Sequence, residues 1–189
     1  MERIGMGMSA SMAVDYPKAL AASFQIGAHY RFEYSHPNGD QWVAEGYNRV
    51  PTEGLNHNLT EWLKGAAYTA TPFVGLVSNA GFGAYSASDT AAQINGTNGW
   101  TEFTGYSEAV RQTLTLGTAA GGVISNTASK AVFSFNANGS LNGAFVVTSS
   151  TKAGTGGSLL SEVTFSGGAQ SITSGGTGTI TITFTATST

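Results

Sequence analysis

Residues 177–187 read T-G-T-I-T-I-T-F-T-A-T. Ile180, Ile182, Phe184 and Ala186 fall on one side of an extended chain, and Thr179, Thr181, Thr183, Thr185 and Thr187 on the other. So regular a period of two specifies an antiparallel strand with one face buried and one face wet. The branched threonines suit the pleated, solvated side.

The same rule, worked outward, marks most of the chain. His29-Tyr30-Arg31-Phe32-Glu33-Tyr34 places Tyr30, Phe32 and Tyr34 on one face and Arg31 and Glu33 on the other. The Asn38-Gly39 pair signals a tight hairpin into a return strand, Gln41 to Val50. Pro72 to Val77 reads as a short buried strand, and Trp100–Tyr106 and Val110–Leu116 as two more. Lys130–Asn136 and Leu141–Ser149, joined by Asn138-Gly139, give the clearest hairpin pattern, followed by Ser158–Ser166. Eight or nine strands with glycine-rich connections predict a mainly β fold: an antiparallel β-sandwich, jelly-roll-like or a Greek-key barrel.

One stretch breaks the pattern. In Thr52 to Gly65, Leu55, Leu59, Trp62 and Leu63 fall at i, i+4, i+7 and i+8, the apolar stripe of an amphipathic helix over about residues 53–64. Thr52 after Pro51 can cap it, Glu53 suits its first turn, and Lys64-Gly65 reads as its stop. The stripe is expected to lie on a sheet or to close the end of a barrel. Residues 78–99 form a long connection of the kind used for interaction, with a helical turn after Ser88. Residues 1–27 read as an N-terminal extension or arm, and residues 28–189 as a single sandwich domain.

Composition narrows the function. Only 10% of the 189 residues are charged, against a typical ~25%, and the net charge is −3 without a basic cluster, which argues against a nucleic-acid surface. No cysteine is present, so disulfides, thiolate chemistry and sulfur-ligated metals are excluded. No run of apolar residues is long enough for a membrane span. Asp15, Pro17 and Lys18 interrupt the first 26 residues, which therefore make a poor signal peptide. A surface of Thr, Ser, Asn, Gly and Ala repels itself weakly and suits contact with other protein.

Catalytic patterns are lacking. His29, His36 and His57 read as solvated or edge-bound imidazoles. His57 and Glu61 at i+4 could offer two metal ligands, but no third follows at usable spacing, and an i,i+4 pair explains both. No nucleophile elbow, phosphate loop or distinguished pair of carboxylates appears. No catalytic residue, cofactor or metal is expected. Trp42, Trp62 and Trp100 could stack on sugars, with core packing the preferred reading.

The order of several short motifs carries a resemblance. Thr52-Glu53-Gly54-Leu55-Asn56 is followed by Phe73-Val74-Gly75-Leu76, Asn79-Ala80-Gly81-Phe82 and Ala87-Ser88-Asp89-Thr90. Then come Gly99-Trp100-Thr101-Glu102-Phe103, Tyr106-Ser107-Glu108-Ala109, Ser149 to Gly154, and the threonine strand. From about Tyr30 onward the chain resembles a family of structural virion proteins of short-tailed bacteriophages. That resemblance implies a capsid decoration or cement protein on the outer surface of the virion, bound to the major capsid protein as a homo-oligomer, dimer or trimer. Its expected contacts are Met6, Met8, Met12, Tyr16 and Phe24 of the arm and Phe82 and Tyr85 of the long connection. A head-fibre or tail-fibre component binding a host glycan is the alternative, and a cell-envelope hydrolase a third.

Overall fold

The structure, a computed structural model, describes residues 24–64 and 71–188. In chain order the strands are β1 (Phe24–Ser35) and β2 (Gln41–Tyr47), then helix α1 (Thr52–Lys64) and β3 (Phe73–Ser78). After a 3-10 turn at Ala91–Gln93 come β4 (Glu102–Phe103), β5 (Gln112–Thr113), β6 (Val123–Ser125) and β7 (Ala131–Ser134). Last are β8 (Gly139–Val147), β9 (Leu159–Thr164), β10 (Gln170–Ile172) and β11 (Thr177–Ser188).

The threonine strand is the spine of the first sheet. β11 pairs with β1 along its whole length, from Thr177 opposite Ser35 to Ser188 opposite Phe24. Its other edge is shared by β7 and then β6. Between those two short strands the side chain of Asn126 takes the place of backbone. Its Nδ2 donates to Ile180 O at 3.0 Å and its Oδ1 accepts from Ile182 N at 2.7 Å, so no buried peptide group is orphaned there. β2 completes this sheet on the far side of β1 through the Asn38-Gly39 hairpin, with Gly39 at φ 92°.

The second sheet is built on the antiparallel pair β3–β8, with β4 and β5 along the outer edge of β3 and β9 and β10 along that of β8. The two sheets face each other as an antiparallel β-sandwich. Tyr30, Phe32, Tyr34, Ile180, Ile182 and Phe133 of the first sheet pack against Val74, Leu76, Ala144, Val146 and Val163 of the second. A second cluster covers the outer face of β8, where Phe145 and Val147 meet Trp100, Ile94 and Ala91 from the 79–101 segment. This burial on both faces explains the unbroken apolar run Ala144-Phe145-Val146-Val147. Gly75 lies under the Phe145 ring, where a Cβ would collide with the aromatic carbons.

Two local expectations are corrected. Asn138-Gly139 does not close a hairpin, because β7 belongs to the first sheet and β8 to the second. Gly139 lacks the positive φ that a two-residue hairpin turn demands; it lies against the Phe103 ring at a corner between sheets, with Asn138 Oδ1 accepting from Ser174 N. The stretches around Trp100 and Val110 contribute only the two-residue strands β4 and β5, because most of their backbone is committed to loop contacts.

Helix α1 also differs from expectation, in its rotation. Its inward side is Gly54, His57, Asn58 and Glu61, at i, i+3, i+4 and i+7, while Leu55, Leu59, Trp62 and Leu63 point outward. Three contacts at its N-terminus fix that rotation. Thr52 N donates to Ala87 O at 2.8 Å, and Glu53 Oε2 accepts from Ala91 N at 2.8 Å and Leu159 N at 2.6 Å. Gly54 then rides directly on β9, where an added Cβ would stand 2.6 Å from Leu160 O and 2.9 Å from Leu159 O.

Gly54→Ala weighs two effects against each other. Alanine gains about 0.5–1 kcal/mol of helix propensity, but it meets backbone atoms of β9 that cannot step aside, a cost of about 1–3 kcal/mol. The clash is expected to win. Thermal unfolding followed by circular dichroism should show a lower midpoint for this variant, whereas a raised midpoint would mean that the helix does not rest on β9.

Candidate interaction surface

The rotation of α1 leaves four large apolar side chains in solvent. Leu55 and Leu59 are each 51% exposed, Trp62 65% and Leu63 72%. Scattered exposed leucines need no explanation, but four on one helical stripe make a contiguous patch. Burying one such side chain is worth about 1.5–3 kcal/mol, so the stripe holds a substantial reserve of contact energy. Elsewhere large apolar side chains such as Tyr47, Val43 and Val132 are exposed singly, and a surface ion-pair ladder joins Arg31 to Glu45 and Glu33 to Lys130, both at 2.5 Å.

Beside the helix the sandwich end is open. A cavity of about 630 Å³ runs in from Trp62 and Glu61 between the sheets, over Leu116, Ile124, Val146, Leu160 and Phe184. Asn48, Asn58, Glu61 and Ser161 add polar groups to an otherwise apolar lining. Trp62 belongs to both the stripe and the cavity, so the two form one continuous apolar surface. The expectation that Trp62 packs in the core is therefore corrected: Trp100 is fully buried and Trp42 half-buried against Phe32 and Tyr34, but Trp62 is exposed. The reason is the same rotation at Gly54.

Of the residues expected to form an interface, Phe82 and Tyr85 stand half-buried, 5.1 Å apart edge to face. Tyr85 continues edge-on to Trp100, and its hydroxyl donates to Val163 O at 3.0 Å. The long connection thus spends much of its apolar surface covering the second sheet, leaving only the outer flanks of these two rings to solvent. Met6, Met8, Met12 and Tyr16 lie outside the described residues, as does the side chain of Phe24.

Beneath Tyr85 lies a charge arrangement that the sequence does not announce. Glu162 is wholly buried on β9, and neither carboxyl oxygen has a hydrogen-bond donor among the described residues. Desolvation, and then the neighbouring Asp89, push its pKa up from 4.5 to about 8, with Arg49 opposing weakly. Asp89 is itself held by Ser86 N at 2.9 Å and Trp100 Nε1 at 3.0 Å. Ionised, Glu162 is stranded; protonated, it can donate to Asp89. A shallow cavity of about 500 Å³ lies above, bordered by Tyr47, Arg49, Phe82, Tyr85 and Glu162 itself, whose two carboxyl oxygens are nevertheless buried.

A second buried pair organises the loops on the other side. Arg111 donates to Glu102 through Nε at 3.0 Å and Nη2 at 2.8 Å, a bidentate pair with both side chains out of solvent. The remaining donors of Arg111 reach Ser149 O and Gly154 O, while Ala153 N donates to Glu102. Each charge is fully matched, so this is a clamp on three loops and leaves nothing facing a ligand. Among the described residues no group of three His, Asp or Glu side chains could hold a metal ion, and no helix is long and apolar enough to cross a membrane.

Comparison with protein-family models found no match, and comparison with characterised proteins found none either.

The buried acid makes stability depend on pH. Because its folded pKa lies above the ordinary value, the neutral form stabilises the fold in full below about pH 4.5, and that contribution is lost as pH rises through about 8. Glu162→Gln keeps the shape and removes the titration. The expected result is a flatter melting-temperature profile from pH 5 to 9 and a higher midpoint than wild type at pH 9; parallel profiles would place the carboxyl in solvent.

Proposed function

We propose that this chain is a structural virion protein, a capsid decoration or cement protein that grips the major capsid lattice through protein–protein contacts. The observation that carries the reading is the outward apolar stripe of α1, fixed on a rigid sandwich by Gly54 and Glu53. A helix whose polar face is already spent on its own domain has only its apolar face to offer a partner. The sparse charge supports the same reading, since a neutral surface docks at little electrostatic cost. The motif order supplies the class of partner. Contacts of standard size bury ~1,600 Å², and a dimer or trimer spanning neighbouring lattice positions adds avidity without new contacts.

The fibre reading has one observation in its favour. Tyr47 is 83% exposed, and an exposed aromatic ring can stack on a sugar ring. Copy number separates the two roles. Purified virions resolved on a gel should show this chain at a ratio near one to the capsid protein. About a dozen copies would assign it to a fibre or tail, and none would remove it from the virion.

A further inference from the structure

Residues 79–101 lie as a cover on the outer face of the second sheet. Trp100, Ile94 and Ala91 of this cover meet Phe145 and Val147 of β8 and Leu159 of β9, and all six are fully buried. The cover closes on itself at its base, where Ser78 N donates to Thr101 O and Gly83 N to Gly99 O, each at 2.9 Å. A compact loop joined at its two ends can lift as one unit while the elements beneath it stay folded. Above the base it is tied to the body through Ala87 O, which accepts from Thr52 N, and Ala91 N, which donates to Glu53. Tyr85 adds two more ties, its carbonyl accepting from Arg49 Nη1 at 3.0 Å and its hydroxyl donating to Val163 O.

A pair of acids sits under the cover. Glu162 stands opposite Phe145 in the β8–β9 register and so shares its covered face. It is fully buried, and neither carboxyl oxygen has a hydrogen-bond donor among the described residues. The carboxyl group that faces it belongs to the cover: Asp89, itself buried, which accepts through Oδ2 from Ser86 N and Trp100 Nε1. The other titratable or charged groups near it are Tyr85 of the cover, Arg49 beyond the end of β2, and Tyr30 of β1. The hydroxyl of Tyr30 is spent on Ser161, and none of the three donates to Glu162. Two carboxyl groups facing each other away from water can share one proton but resist carrying two charges.

We propose that Glu162 and Asp89 form a proton-dependent latch: with one proton between them they hold the 79–101 cover on the second sheet, and loss of that proton lifts the cover and wets the outer face of β8 while the sandwich stays folded. The latch acts on the cover because the pair joins β9 to that segment, so lifting it lets water reach both carboxylates without parting the two sheets. Covered, Glu162 is raised from 4.5 to about 8; uncovered, it returns to its ordinary value. The shut form is therefore favoured in full below about pH 4.5, and that preference is lost as pH rises to about 8, the open fraction growing about tenfold per pH unit between those limits. The inference does not rest on a role in the virion.

The protein has no cysteine, so one introduced thiol reports the opening. Val147→Cys places it beneath the cover and Val74→Cys between the two sheets, both at fully buried positions. Each is labelled with an aromatic disulfide reagent from pH 6 to 8.5, with Glu162 present and with Glu162→Gln. The ratio of the two rates at each pH cancels the ionisation of the thiol itself. At Val147→Cys that ratio is expected to rise on the order of fiftyfold between pH 6 and 8, with Val74→Cys labelled at least about tenfold more slowly than Val147→Cys at pH 8. A ratio at Val147→Cys that does not change with pH overturns the latch. Equal labelling at the two positions overturns a lifting cover in favour of unfolding of the whole domain. Asp89→Asn keeps an acceptor for Ser86 and Trp100 and offers Glu162 a donor, so it serves as an independent reference. In that variant the extra rise with pH should vanish, and a rise equal to wild type overturns the pairing of Asp89 with Glu162.

Discussion

The contact between Gly54 and the backbone of β9 sets the orientation from which the rest of the surface follows. Without a Cβ, the first turn of α1 settles directly onto Leu159 and Leu160, and Glu53 locks it by accepting from both Leu159 and the 3-10 turn. Those constraints leave the helix one rotation. It puts His57, Asn58 and Glu61 toward the sandwich and Leu55, Leu59, Trp62 and Leu63 toward solvent. A folded domain that exposes its most apolar helical face has kept that face for something outside its core.

Buried polar groups join the apolar packing in holding the long connections in place. Arg111 and Glu102 draw the 149–154 loop inward, Asp89 ties the 86–100 segment to Trp100, and Asn126 completes the edge of β11. The short motifs quoted from the sequence contain many of these anchors: Glu53 and Gly54, Asp89, Trp100 and Glu102, Ala153 and Gly154. Their physical role here is architectural. Glu162 stands apart as a buried acid without a matching cation, and it makes the same region sensitive to pH.

How much of this was legible in the sequence followed from how local each cause is. The threonine strand and the Tyr30–Phe32–Tyr34 face were readable because a period of two depends only on neighbouring residues, and both are buried as that period requires. The helix was readable by its period, but its rotation was not, since the deciding contact joins Gly54 to a strand more than a hundred residues away. Asn138-Gly139 has the wording of a hairpin, and only its backbone angles reveal a corner between sheets. Glu162 carries no local signal of burial in the sequence. It is buried because the 79–101 segment covers what would otherwise be a wet face. The cavity left no mark in the sequence at all, because its walls come from eight strands or their flanks and one helix.

A domain pinned in this way is suited to holding a surface. Its bidentate ion pair is closed to ligands, its buried acid is sealed from the cavity above it, and its apolar stripe faces outward on a fixed helix. The most direct test of the proposed capsid role is co-sedimentation with phage capsids that lack this chain, comparing wild type with the double variant Leu59→Asn, Leu63→Asn. The account requires a melting temperature lowered by only a few degrees, because Leu63 is mostly and Leu59 half exposed, and a loss of capsid binding of about tenfold or more. Binding equal to wild type would show that the stripe is not the gripping surface, and an unfolded variant would show that it is not exposed.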